Sequence, residues 1–291
     1  MEIYKLFIGY LIISMVGIFS EPAVAEESNP VLNSKYSIWI GGFFPKVDSE
    51  IKINGEIIGD GPILGFEDTL GLQDSKSVLW GGASWRISKR NNLEIEFNNL
   101  NRSGTTTAEK ELQIGDSIVN VGGQIDTTFD LAIGRLTYGY SFVRTEKMDV
   151  QLKAGFHITD ISATLQLSGK IEVCQPGEVP PDCSVAGGST DQFESSDITL
   201  PLPHLGASFG YAFTPNLAIR MQAIGFAIKI NDIKGSLLEL DADVVYHPWQ
   251  HFGLGAGVRY FNANVKSEGS RLNGEFNFQY LGPVAYAKFT F

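Results

Sequence analysis

Residues 237–249, LLELDADVVYHPW, alternate between apolar and acidic side chains. Glu239, Asp241 and Asp243 therefore share one face of a strand and apolar residues the other, because successive strand side chains point to opposite faces. A soluble sandwich would turn the apolar face into its core. A membrane barrel would turn it outward to lipid and direct the acids into its lumen. The rest of the chain has to distinguish these two structures.

The N-terminus predicts export from the cytoplasm. Lys5 precedes an apolar run that ends at Ser20, and an A-x-A cleavage pattern follows at 23–25. These features indicate a signal peptide over 1–25, because the run of about 15 residues is short for a spanning helix of roughly 20. An uncut membrane anchor is the alternative. The mature chain has no further apolar run of that length, so it would cross a membrane only as a closed barrel.

About ten segments of the mature chain have the period-2 pattern of strands. They are 36–44, 77–88, 93–102, 128–143, 148–167, 198–213, 217–230, 233–247, 252–265 and 276–291. The turns after every second segment are short, whereas the connections 45–76, 103–127, 168–197 and 266–275 are long. The exception is the tight turn Asn231-Asp232, which stands where this alternation would place a long connection.

Loops sorted by length to opposite ends are typical of outer-membrane barrels, which have short periplasmic turns and long external loops. We therefore predict an all-β, antiparallel, up-and-down transmembrane barrel over 36–291, preceded by a periplasmic segment at 26–35. About ten strands are expected, with eight to twelve open. An even number would place both termini in the periplasm. The apolar alternation changes phase near Gly134, which predicts a β-bulge there.

If the apolar phase faces lipid, a set of charged residues faces the lumen. They are Arg86, Glu94, Glu96, Lys153, Arg220, Glu239, Asp241, Asp243 and Arg259. A two-residue turn at 231–232 places Arg220 opposite Asp243 and Gln222 opposite Asp241, and we also expect the pairs Arg259–Glu239 and Arg86–Glu94. A matched set favours a polar plug that fills a small barrel. A pore lined by acids is the alternative.

His157 and His204 are predicted to face inward on adjacent strands, close to each other. A His pair can bind metal or act as a general base. The sequence places no acid beside them, so we interpret them as lumen residues and expect no catalytic residue, metal or cofactor. Cys174 and Cys183 flank a proline-rich stretch, and in an exported chain they predict one disulfide rather than a metal site. The formal net charge of −11 argues against nucleic acid as a partner.

The chain ends in QYLGPVAYAKFTF, an alternating strand whose Phe289 and terminal Phe291 share one face. This ending, with the signal peptide, resembles the assembly signal of bacterial outer-membrane β-barrel proteins, either small OmpA- and OmpW-like barrels or porin-like ones. The resemblance implies an outer-membrane location, contact with its lipid, and recognition of the last strand by the barrel-assembly machinery.

That family is functionally mixed, so the resemblance carries little about activity. We expect a non-enzymatic barrel that displays its loops, with 45–76 and 168–197 as candidate binding sites for an external ligand. A narrow porin-like channel and a lipid-modifying enzyme are the alternatives.

Overall fold

The computed structural model describes residues 29–54, 61–114, 117–169, 171–174, 183–185, 192–230, 232–268 and 273–291. The predicted signal peptide lies outside them. The elements are α1 (Pro30–Asn33), β1 (Tyr36–Phe43), β2 (Lys46–Ile53), β3 (Ile63–Gly65), β4 (Val78–Arg86), β5 (Asn91–Thr107), β6 (Leu112–Ile114), β7 (Ser117–Val119), β8 (Gln124–Arg144), β9 (Met148–Ser168), β10 (Ile171–Cys174), β11 (Cys183–Val185), β12 (Gln192–Ala212), β13 (Leu217–Ile230), β14 (Ile233–Trp249), β15 (Phe252–Glu268) and β16 (Asn273–Thr290). Among these elements no helix is long and apolar enough to cross a membrane.

Ten strands form a closed antiparallel ring in the order β1-β4-β5-β8-β9-β12-β13-β14-β15-β16, and β16 pairs back with β1. This confirms the predicted up-and-down barrel of about ten strands. Beyond a break at Phe44-Pro45, β2 continues along β16 and also pairs with β3. The strands β6, β7, β10 and β11 form a separate small sheet.

The two ends of the barrel differ. One end carries the short turns and both ends of the barrel sequence, because Tyr36 and Phe291 exchange backbone hydrogen bonds of 2.9 Å. We call it the short-turn end. The opposite, long-loop end carries β2, β3 and the small sheet. Its connections are shorter than the sequence predicted, since β5 runs to Thr107 and β15 to Glu268.

The strands are longer than a membrane requires. β8 and β9 have 21 residues each, whereas a transmembrane strand needs about 9–11. Their outer faces change character along this length. On β8 the outward residues Leu136, Tyr138 and Phe142 are exposed and apolar, but Asp126 and Asp130 replace them toward the long-loop end. The barrel thus has an apolar band next to the short-turn end and a polar extension beyond it.

The inner face changes in the opposite sense. In the extension the inward residues of β8 are apolar and buried, as Ile125, Phe129 and Ile133 show. The predicted bulge at Gly134 is wrong, because the β8–β9 register runs without interruption past this residue and shifts only between Ser141 and Val143. Side chains of β8 continue to alternate between the two faces at Gly134. The apolar residues move from the outer face to the inner face there, because the strand passes from the apolar band into the extension.

Residues 61–74 fold into the mouth of the extension, and we call this segment the plug. Leu64, Phe66, Leu70 and Leu72 are buried there. The Phe66 ring lies 5.5 Å from that of Phe129 and 6.3 Å from that of Phe276. These contacts give the extension an apolar core like that of a soluble barrel.

A buried arginine and a glycine contact fix the plug to the barrel wall. Arg102 of β5 is ion-paired with Glu67 of the plug, and its guanidinium also donates to Ser49 over 3.0 Å. A side chain at Gly104 would reach the Gly71 carbonyl oxygen at 1.9 Å. Only a glycine therefore allows the two backbones to approach this closely.

The wall of the extension is open between β12 and β13. Within the described residues their pairing ends at Leu205 and Gly225. The Phe213 amide donates to β13, so the odd-numbered residues of β12 are the ones that bond toward that strand. Pro201 and Pro203 are odd-numbered, and proline has no N–H to donate. The two prolines thus explain why the pairing stops.

Phe66→Ala is expected to destabilise the extension by about 3–5 kcal/mol, because it leaves a cavity in the apolar core. Protease cleavage within 61–74 should then become faster. The heat-modifiable barrel band on a gel should persist, because Phe66 lies outside the apolar band. Ile63→Ala is the matched control, since Ile63 lies in the same segment and is 66% exposed. Equal cleavage of both variants would contradict the assigned core.

Candidate functional site

The lumen within the apolar band holds the charged residues that the sequence placed inside. In the β13–β14 register Arg220 is opposite Asp243 and Gln222 is opposite Asp241, as the turn at 231–232 predicts. Both pairs are in contact: the Arg220 Nε donates to Asp243 over 3.3 Å, and the Gln222 amide donates to Asp241 over 3.1 Å. Cross-strand partners of this kind stabilise a sheet by roughly 0.2–1 kcal/mol each.

Arg135 is the centre of the lumen and connects strands across it. Its guanidinium is ion-paired with Glu96 on the neighbouring β5 and with Glu239 on β14. β8 and β14 are four strands apart in the ring of ten, so this ion pair crosses the lumen. Arg135 was missing from the sequence-based set. The phase change near Gly134 left the inward face of β8 unassigned from the sequence. Arg135 was nevertheless the only Lys or Arg in the predicted segment 128–143.

Arg259 forms a second connection across the lumen. It lies opposite Asp241 in the register and not opposite Glu239, which corrects the predicted pair. Its guanidinium is 3.3 Å from Asp241 and 2.9 Å from Glu96, which lies four strands away on β5. It also covers the Trp80 ring at 4.0 Å. The β14–β15 register shifts by one residue between Tyr246 and Trp249, and this shift brings Asp241 instead of Ala242 opposite Arg259.

The predicted Arg86–Glu94 pair is also replaced by other partners. Glu94 accepts a hydrogen bond of 2.6 Å from Lys153 on β9. Arg86 and Arg144 both bond Asp149, at 2.8 and 3.0 Å. Arg144 is the direct partner of Asp149 across the β8–β9 turn, whereas Lys153–Glu94 and Arg86–Asp149 join non-neighbouring strands, and the spacing along the sequence carries no information about those two pairs.

A short helix closes the lumen at the short-turn end. Leu32 of α1 is buried inside the barrel, and its carbonyl oxygen accepts hydrogen bonds of 3.1 Å from Arg86 and Arg144. Asn29 caps the helix and donates to the Thr214 carbonyl over 2.8 Å. The segment 26–35 was predicted to lie in the periplasm. Its described part includes α1, which occupies this end of the lumen.

His157 and His204 are in contact, with their Nδ1 atoms 3.0 Å apart. His157 Nε2 lies 3.2 Å from Glu239, and His204 Nε2 lies 3.1 Å from the Thr137 hydroxyl. An acid is therefore beside the pair, contrary to the sequence-based expectation. Both rings are at most 1% exposed. They belong to the hydrogen-bonded network around Arg135 and have no open space around them for a substrate.

A small cavity remains between α1 and the ion-pair network. Its volume is about 70 Å³, and charged side chains of both signs line it. A water molecule needs about 10–15 Å³ of such space, so several waters fit. Among the described residues, no group of three or more His, Cys, Asp or Glu side chains is arranged to hold a metal ion.

Similar structures agree with this architecture. The outer membrane protease OmpT from Escherichia coli aligns over 88% of this chain and 96% of its own, with 10% identity and a TM-score of 0.58. The chain has the fold of an outer-membrane β-barrel protein. Further matches are the Pseudomonas putida toluene transporter TodX (10% identity, 90% and 91% coverage, TM-score 0.39) and Ail, the attachment invasion locus protein of Yersinia pestis (10%, 87% and 99%, 0.28). No protein-family model and no curated protein matches the sequence.

The remaining predicted site residues lie at the two ends of this barrel. Cys174 and Cys183 are direct backbone partners in the β10–β11 hairpin, a spacing that a disulfide can bridge. Their side chains lie outside the described residues, and the disulfide stays a prediction. At the short-turn end Phe289 and Phe291 face outward, and Phe291 stacks on His251 with 5.8 Å between the ring centroids.

Arg135→Met should destabilise the barrel by about 3–5 kcal/mol, because it leaves the buried Glu239 without its arginine partner and removes one of the two guanidinium groups bound to Glu96. Urea unfolding of the refolded protein in detergent micelles measures this loss. Arg90→Met, in an exposed turn, is the control and should stay within about 0.5 kcal/mol of wild type. The double variant Arg135→Met/Glu239→Leu should lose less than the sum of its singles. Strict additivity would contradict the connection.

Proposed function

We propose that this protein is a non-conducting, non-enzymatic barrel of the bacterial outer membrane that anchors a surface-exposed β-structure. The observation that carries the proposal is the pair of ion-paired connections across the lumen, Arg135–Glu239 and Arg259–Glu96. Both join strands four positions apart in the ring. They fill the cross-section with side chains at mid-height, which is how small barrels close their interior.

Two further closures support a sealed lumen. The plug fills the long-loop end with the buried Phe66 and Leu70, and α1 occupies the short-turn end with Leu32. A solute would have to displace both, and also break the ion pairs between them. The cavity of about 70 Å³ is too small for anything beyond a few waters or a small ion.

The outer surface supports the proposed position in the membrane. Lipid would surround the apolar band, because exposed residues such as Leu152, Phe156 and Leu254 need an apolar solvent. The polar extension, the plug and the sheet that contains the cysteine pair would then lie in water outside the cell. In this orientation the short-turn end and both termini face the periplasm, and Phe289 and Phe291 serve the assembly machinery as its recognition signal.

The buried histidines are consistent with a structural role. An enzyme site needs a nucleophile or base that a substrate can touch, and His157 and His204 are at most 1% exposed. The candidate surface for a ligand is instead the long-loop end. Both 45–76 and 168–197 were predicted to be displayed there, but the buried part of the plug within 61–74 is not available to a partner. An external binding partner of these loops is part of the proposal.

Planar-bilayer recording of the refolded mature chain tests the proposal. A heat-modifiable, folded barrel should give no discrete conductance steps, whereas a porin refolded in the same way should give them. Steps whose ion selectivity changes in Asp241→Asn would show a pore through the acidic lumen and overturn the closed-barrel function. Asp241 points into the lumen, where it is ion-paired with Arg259 and accepts a hydrogen bond from Gln222. Its replacement by the neutral Asn therefore removes one negative charge from the lumen.

A further inference from the structure

Three buried polar side chains near the short-turn end have no hydrogen-bond or ion-pair partner among the described residues. Trp39, His247 and Lys288 are 3%, 1% and 2% exposed. The Trp39 indole N–H and both His247 ring nitrogens make no hydrogen bond. Lys288 has only a cation–π contact, with its ammonium 5.5 Å from the Trp39 ring centroid. Buried polar groups are normally satisfied, so a cluster of three such groups requires an explanation.

The barrel register brings these three side chains together. Trp39 on β1 is the direct partner of Lys288 on β16, and Lys288 is the direct partner of Gly253 on β15. The His247 ring from β14 lies over Gly253, where a side chain would approach it to 2.7 Å. The cluster therefore spans four consecutive strands at one height and points inward.

Charge counting in the lumen leaves one cation without a partner. The ion-paired cations are Arg86, Arg135, Arg144, Lys153, Arg220 and Arg259, and the carboxylates are Glu94, Glu96, Asp149, Glu239, Asp241 and Asp243. These two sets of six balance. With neutral histidines, Lys288 adds one uncompensated positive charge in the described lumen. An unpaired buried charge is strongly unfavourable, so Lys288 needs a monovalent counter-anion if it is to stay protonated.

The space next to the cluster suits a small anion. Trp39, Arg220 and Lys288 line the 70 Å³ cavity. The Arg220 guanidinium lies 6.0 Å from the Trp39 ring, so a second cation is close by. The nearest acid, Asp243, is already bonded to Arg220 and to the Tyr286 hydroxyl at 2.6 Å. On the residues that line the cavity, an ammonium and an indole N–H thus remain as donors.

We propose that the cavity side of this cluster, formed by Trp39 and Lys288, binds a chloride-sized monovalent anion inside the barrel. The anion neutralises Lys288, accepts the indole N–H, and fills part of the cavity between α1 and the ion-pair network. Its role is structural: it completes the charge balance of a closed lumen. The inference does not depend on the proposed function, because a conducting barrel could also hold an anion at this height.

Halide dependence of stability tests the site in the wild-type barrel. Unfolding is followed in detergent micelles at constant ionic strength, with chloride or bromide replaced by gluconate, which is too large for the cavity. At a halide concentration ten times its Kd, the equilibrium constant for unfolding should fall about tenfold. Equal stability in chloride and gluconate would overturn the proposal.

Variants assign the effect to the cluster. Lys288→Met should remove the halide dependence, and Trp39→Phe should weaken it while keeping the aromatic packing. Lys229→Met, at an exposed position of the extension, is the control and should keep the dependence. A halide response that persists in Lys288→Met would place the anion elsewhere and overturn the assignment.

Crystals of the wild type grown in sodium bromide give a test that does not require a variant to fold. An anomalous difference peak is expected in the lumen within bonding distance of the Lys288 ammonium and the Trp39 indole nitrogen. No bromide peak beside these atoms, in crystals whose protein shows a halide-dependent stability, would contradict the site.

Discussion

The barrel depends on one physical constraint, the neutralisation of carboxylates inside a narrow lumen. Six acids point inward within the apolar band, and each has a cation within 4 Å. Arg135 and Arg259 meet this requirement from across the ring, so their side chains also fill the cross-section. The same contacts that neutralise the buried acids therefore also place side chains across the lumen, which is the basis of the proposed closed barrel.

The second organising feature is the exchange of polarity along each long strand. Within the apolar band the outer face is apolar and the inner face is polar, as Leu136 and Arg135 illustrate on β8. In the extension the inner face is apolar, with Phe129 against Phe66 of the plug. One strand thus presents an apolar outer face along one part of its length and a polar outer face along the other. Its side chains alternate throughout, so only the choice of apolar face changes.

The ends and the middle of the lumen form one continuous closure. Leu32 of α1 receives hydrogen bonds from Arg86 and Arg144, which also hold Asp149. Above them the ion-pair network extends to His157 and His204, and the apolar core of the extension begins at this height. Lys288, the cation without an ion-pair partner in the described lumen, lines the cavity next to α1, so the charge balance and the available space both support the proposed anion.

The sequence by itself determined an all-β barrel of about ten strands, with eight to twelve left open, and the inward face of most of them. These follow from local period-2 alternation and turn length, and the tight turn at 231–232 even set the Arg220–Asp243 pairing. The tertiary structure alone decided which charges meet across the lumen, because Arg135 and Glu239 are brought together by closure of the ring. It also decided that apolar residues such as Phe129 face inward beyond the band. Period-2 alternation shows that a strand has one apolar and one polar face. Which of the two faces points into the barrel depends on what surrounds the barrel at that height.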